Sequence, residues 1–220
     1  MRYLILIYFN FYFASIFSQT FINVSSLSEG GGGGGTVSAI VTPNNNKIIG
    51  NIYLFDNWNN KAILTSDNGK SFELNNMNFN AKESKFAAKI SNDSIFTFYN
   101  LKRVSLGESN YVRYNDTFYL ELISDIKLGL LKEFYIDEMA PKMHATTNTI
   151  LEPAKLVLES RYYFKSFNDN LIPFKLNKKS FLEIIESDQR IEVQKFVKSN
   201  KLKYNKINDI VKILNFYNSI

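Results

Sequence analysis

"NYVRYNDTFYLELI", residues 110–123, decides how the rest of the chain is read. Asn115 and Asp116 form a turn pair between two short runs rich in β-prone residues. After the turn, Phe118, Leu120 and Leu122 alternate with Tyr119 and Glu121. A period of two with one apolar face is the mark of an antiparallel strand that buries one side. The pattern recurs outward from this hairpin. "KAILT" (61–65) and "SFEL" (71–74) flank Asn68-Gly69, for which a type I′ turn is expected. "IIGNIYLF" (48–55), "SKFAAKI" (84–90) and "IFTFYNL" (95–101) read as further strands, as do "LGLLKEFYI" (128–136), "KLVLESRYYFKSF" (155–167) and "LIPFKL" (171–176). Strands so close in sequence, joined by tight turns, predict an antiparallel β-rich meander or a small barrel-like domain. Trp58 and the many phenylalanines and tyrosines serve first as core and face fillers. Residues 137–153, "DEMAPKMHATTNTILEP", break the pattern and read as a long surface connection.

Beyond Leu176 the period changes from two to three and four. Phe181, Ile184 and Ile185 fall on one helical face, with Asn177 placed to cap it. Val193, Phe196 and Val197 do so in a second helix, preceded by Ser187. Ile207, Ile210, Val211, Leu214 and Tyr217 do so in a third, with Asn205 as its candidate cap. The fold class is therefore α+β: an antiparallel β domain over 37–176, then a short three-helix segment over 177–220. Helices this short need a surface to pack on, and covering the β domain supplies one.

Charge is concentrated in that segment. Residues 173–220 hold 10 Lys+Arg and 5 Asp+Glu, a net of +5, whereas residues 19–172 hold 15 and 16, a net of −1. Lys195, Lys198, Lys201, Lys203 and Lys206 form a candidate patch for an anionic partner.

The amino-terminal end reads as a secretory signal peptide over residues 1–18. Arg2 precedes an apolar stretch over 3–17 that is shorter than the ~20 residues a spanning helix needs. Cleavage is expected between Ser18 and Gln19, and no later stretch is long and apolar enough to form a transmembrane helix. The six glycines at 30–35 resemble a phosphate loop only in composition. No Gly-Lys-Ser/Thr ends the run, and the following "TVSAIV" (36–41) is strand-like. Residues 19–36 read as a Gly-rich disordered tether. "DNGKS" (67–71) fails as a phosphate loop because Leu64 stands where its first glycine belongs.

The chain contains no cysteine, which excludes thiol catalysis, cysteine-ligated metal and lipid attachment to a cysteine. It contains one histidine, His144, whose spacing from Asp137 and Glu138 matches no ligand pattern. No Gly-x-Ser-x-Gly elbow accompanies it, and Ser71 and Ser109 lie in turn-like contexts. Glu121, Asp125, Glu133, Asp137 and Glu138 are candidates for a glycosidic carboxylate pair, although strand-face charges and turn caps account for them equally well. No cofactor motif is present, and metal and nucleic acid are not expected partners.

The stretches "DNGKSFELNNMNFN" (67–80), "FAAKISNDSIFTF" (86–98) and residues 181–220 carry a resemblance. Together with the Asn200-Lys201-Leu202 step and the terminal Tyr217-Asn218 pair, they resemble a group of exported proteins of flavobacterial-type Gram-negative bacteria to which no activity is assigned. That resemblance implies a cell-envelope protein, periplasmic or outer-membrane-associated. The function expected from all this is a non-enzymatic binding or structural module facing an envelope protein, an anionic lipid or a glycan surface. The alternative is a small-ligand or glycan-binding β-barrel, or a hydrolase on such a scaffold.

Overall fold

The computed structural model describes residues 48–92 and 94–220. The signal segment, its cleavage point at Ser18 and Gln19, the glycine tether and the strand read at 36–41 lie outside the described residues. The described chain builds one ten-stranded antiparallel sheet, one two-stranded hairpin and three carboxy-terminal helices.

The first four strands, β1 (Asn60–Ser66), β2 (Ser71–Asn80), β3 (Lys85–Ser91) and β4 (Ser94–Thr97), step outward as a meander. The chain then returns to the free side of β1. There β5 (Leu101–Leu106), β6 (Ser109–Tyr114), β7 (Thr117–Ile123) and β8 (Leu128–Met139) form a second meander. A small hairpin of β9 (Lys142–Met143) and β10 (Ile150–Glu152) precedes β11 (Lys155–Ser166), which pairs along the whole of β8. The strand β12 (Leu171–Phe174) ends the sheet. The edges are β12 and β4, so the sheet is not closed.

The quoted hairpin is β6–β7. Asn115 and Asp116 both have positive φ, 45° and 54°, as a type I′ turn requires. The Asn68-Gly69 turn differs from the expected type I′. Only Gly69 is left-handed, at φ 81°. Ser66 N–H donates to Lys70 O and Gly69 N–H to Ser66 O, a three-residue loop with a glycine bulge. The Asn68 amide oxygen accepts from Ser66 Oγ and Lys70 N–H, which holds Asn68 out of the left-handed region.

The sheet coils strongly. Phe86 on β3 packs edge-on against Phe118 on β7 at 5.1 Å between centroids, although four strands separate them in sheet order. Ser84 Oγ accepts from Phe118 N–H at 2.8 Å across the same gap. Phe79 and Tyr111 complete this aromatic core together with Leu64, Met77 and Val104. Each such phenylalanine buried contributes about 1.5–3 kcal/mol.

Residues 48–55, read from the sequence as a strand, instead form a strap between distant strands. Ile49 exchanges hydrogen bonds with Ala154 and Leu156 beside β11, while Leu54 and Ile52 bond to Phe79 and Ala81 at the end of β2. Gly50, at φ 124°, makes the bend possible, and a Cβ there would overlap the Leu156 carbonyl oxygen. Residues 137–153 also differ from a plain connection, because β8 extends to Met139 and the β9–β10 hairpin follows.

The helices α1 (Lys178–Ile184), α2 (Arg190–Ser199) and α3 (Ile207–Ser219) cover the β8, β11 and β12 part of the sheet. Phe181, Val193, Val197, Ile210, Ile213, Leu214 and Tyr217 form a second core with Leu128, Leu130, Phe164 and Phe174. Asn177 caps α1 as expected, its Oδ1 accepting from Ser180 N–H at 2.8 Å. Asn205 does not cap α3. Lys206 occupies that position, and Asp209 instead folds back to accept from Lys203 N–H. Nor does Ser187 cap α2, whose cap residue is Gln189.

Candidate anion-binding site

The α2–α3 connection is fixed by backbone bonds at the end of α2. Leu202 N–H donates to Val197 O at 3.0 Å and Lys201 N–H to Lys198 O at 3.2 Å. That pair of bonds is a Schellman motif, whose left-handed position usually holds glycine. Here it holds Lys201, at φ 53°. A lysine in that backbone conformation is strained by about 1 kcal/mol relative to glycine.

This turn and the flank of α2 shape an open groove of about 550 Å³. Lys195, Lys198, Lys201 and Lys203 line it, joined by Lys178 at the start of α1. Its apolar lining comes from Ile191, Val197, Leu202 and Tyr204. Gln194 is the remaining polar side chain, and among the described residues no carboxylate lines the groove. Among the described residues, none of the five lysines forms an ion pair. Five ammonium groups around one depression therefore sum to a positive potential that a single surface lysine does not produce. The Tyr204 hydroxyl is buried without a hydrogen-bond partner, and burial pushes its pKa up.

Four of the five lysines expected from the sequence thus share one groove. Lys206 stands apart: it precedes α3, where its carbonyl accepts from Asp209 and Ile210 N–H. Lys178 carries no such signal in the sequence, because it lies on the preceding helix, seventeen positions before Lys195. Ile191 and Tyr204 likewise gave no sequence signal distinct from core residues.

Of the candidate carboxylates, Glu121 and Glu133 lie diagonally across the β7–β8 pair on one face of the sheet, but each is taken by another side chain. Glu121 accepts from Arg103 at 3.0 Å, Glu133 from the Tyr163 hydroxyl at 2.7 Å, and Asp125 from Lys127 N–H at 2.8 Å. Glu138 pairs with Lys82 at 2.7 Å, and Asp137 is exposed on β8. Five clefts among the described residues carry one carboxylate between them, Asp169. His144 is exposed at the β9–β10 turn, its Nδ1 accepting from the Thr146 and Thr147 N–H groups. No group of three His, Cys, Asp or Glu among the described residues is arranged to hold a metal. No described helix is long and apolar enough to cross a membrane.

No protein family matches the chain, and comparison with curated proteins and with solved structures returns no match either.

Proposed function

We propose that the protein is an exported cell-envelope module that binds an anionic partner through the lysine groove on its carboxy-terminal helices, and that it is not an enzyme. The partner is an anionic lipid or glycan surface, or an acidic face of an envelope protein. The observation that carries this reading is the convergence of Lys178, Lys195, Lys198, Lys201 and Lys203 on one groove that no carboxylate among the described residues lines. Several ammonium groups around one depression can meet several anionic oxygens at once, as point charges without the directional fork of arginine. Lys201 occupies a position that suits glycine, and the strain there is accompanied by a charge in the groove, which agrees with the same reading.

Export rests on the signal-like first eighteen residues, and the lack of cysteine speaks for a free rather than lipid-anchored chain. A ligand-filled barrel, or a hydrolase on one, draws less support. The space between β2–β3 and β6–β7 is packed with Phe79, Phe86, Tyr111 and Phe118, and Glu121, Asp125, Glu133 and Glu138 are each engaged by another group.

Fractionation of the native host tests the proposal. Envelope-associated protein beginning at Gln19 and released by salt agrees with it. Protein found in the cytoplasm with Met1 intact refutes export, and association that survives high salt refutes the electrostatic contact.

A further inference from the structure

A second depression, which shares no lining residue with the lysine groove, lies between the segment that leads into β1, the middle of β2 and the end of β3. It has a volume of about 550 Å³ and is lined by Asn57, Trp58, Asn59, Asn76, Lys89, Ile90, Ser91 and Asn92. Four side-chain amides and one indole in a single cleft is an unusual composition for a surface of this chain, whose other clefts are lined by lysine, tyrosine or phenylalanine.

The backbone arranges this lining. The β1–β2 register runs from Ala62 opposite Leu74 to Asn60 opposite Met77, so β2 carries one extra residue at Asn75-Asn76. Bulges of this kind re-aim a side chain. Asn76 adopts φ 59°, a conformation asparagine tolerates better than other side chains, and its side chain lines the cleft. Trp58 is fixed edge-on against Tyr53, with 4.6 Å between ring centroids, and lines the same cleft. Among the described residues, the amides of Asn59, Asn76 and Asn92 and the indole N–H of Trp58 make no hydrogen bond, whereas Asn57 Oδ1 is taken by the Asn59 N–H.

We propose that this cleft binds a neutral saccharide. Each free asparagine amide offers one acceptor and two donors, which match the alternating donors and acceptors of vicinal hydroxyls. An indole supplies the apolar face that a sugar ring's C–H groups need. With Lys89 as the one charged side chain and no carboxylate lining the cleft among the described residues, the site lacks both the charge cluster that favours a polyanion and the carboxylate pair that hydrolysis requires.

Trp58 is the only tryptophan in the chain, so intrinsic emission reports on this cleft alone. The full chain is titrated with maltotetraose, cellotetraose and chitotetraose. A saturable emission change with at least one of them, in the range of about 1 mM, is the expected result. It is unmoved by salt, because no ion pair forms. The double variant Asn76→Gly/Asn92→Ala keeps the left-handed backbone at position 76 and removes two amides. It binds at least ~10-fold more weakly, about 1.4 kcal/mol, while its thermal unfolding matches the parent. No emission change with any of the three sugars, or undiminished binding by the folded double variant, overturns the proposal. Saccharide binding that persists when Lys195 and Lys198 are both changed to Glu separates this cleft from the lysine groove.

Discussion

Asn78 and Phe55 are joined by two hydrogen bonds: Asn78 Nδ2 donates to the Phe55 carbonyl at 2.8 Å, and Asn78 Oδ1 accepts from the Phe55 N–H at 3.1 Å. A buried side chain thus stands in for a neighbouring strand and satisfies a strap residue that lacks one. The same amide also donates to Asn57 O at 3.2 Å. Asn78→Ala leaves both Phe55 groups unpaired in a part-buried place and is expected to destabilise the fold by about 2–3 kcal/mol. Urea unfolding measures this, and a loss below about 0.5 kcal/mol contradicts the role given to Asn78.

Gly50 anchors the other end of the strap against β11. Its φ of 124° and the carbonyl of Leu156 at its side leave no room for a methyl group. Gly50→Ala therefore strains the backbone and pushes the strap away, at a cost of about 2 kcal/mol or more. Faster hydrogen exchange at the Leu156 amide, which donates to Ile49 O at 2.7 Å, is the local signature.

Lys201→Gly separates stability from binding. Glycine relieves the left-handed strain and raises stability by about 0.5–1 kcal/mol. The same change removes one cation from the groove and weakens binding to anionic vesicles several-fold. A variant that is both more stable and a weaker binder fits the account; one that binds as well as the parent does not.

Alkaline pH acts through the aromatic core. Burial pushes the Tyr111 hydroxyl up to about 12, and burial, followed by its bond to Glu133, does the same for Tyr163. In the unfolded chain tyrosine ionises near pH 10. Between those values the folded state retains protons that the unfolded state has lost. The stabilisation from the neutral hydroxyls is thus complete below about pH 10 and disappears as pH rises toward about 12. Tyr111→Phe should flatten the decline, read as thermal midpoints across that window.

How much of this was legible in sequence follows from which forces are local. Alternation in "TFYLELI" and the turn pair at Asn115-Asp116 gave the β6–β7 hairpin, and period-four spacing gave three helices, because both patterns are set by neighbours in the chain. The strap over residues 48–55 is not legible in the sequence because the partners of Ile49 lie more than a hundred residues away, at Ala154 and Leu156. Asn205 and Ser187 look like caps by residue type, yet the cap positions of α3 and α2 fall one and two residues later, at Lys206 and Gln189. Lysine density marked the region of the groove but not its shape. Lys178 enters only because α1 folds beside the α2–α3 turn, and Lys206 leaves because its backbone is turned into the start of α3.

The most direct test of the central claim is co-sedimentation of the full chain with phosphatidylglycerol vesicles, at low and high salt, for the parent and for the Lys195→Glu/Lys198→Glu variant. Both substituted positions lie on the outer flank of α2, away from the buried Val193 and Val197, so the fold is preserved. The account predicts that the parent binds at low salt and is released at high salt, and that the folded variant does not bind at either. Equal binding by parent and variant, or parent binding that salt does not reduce, would contradict it.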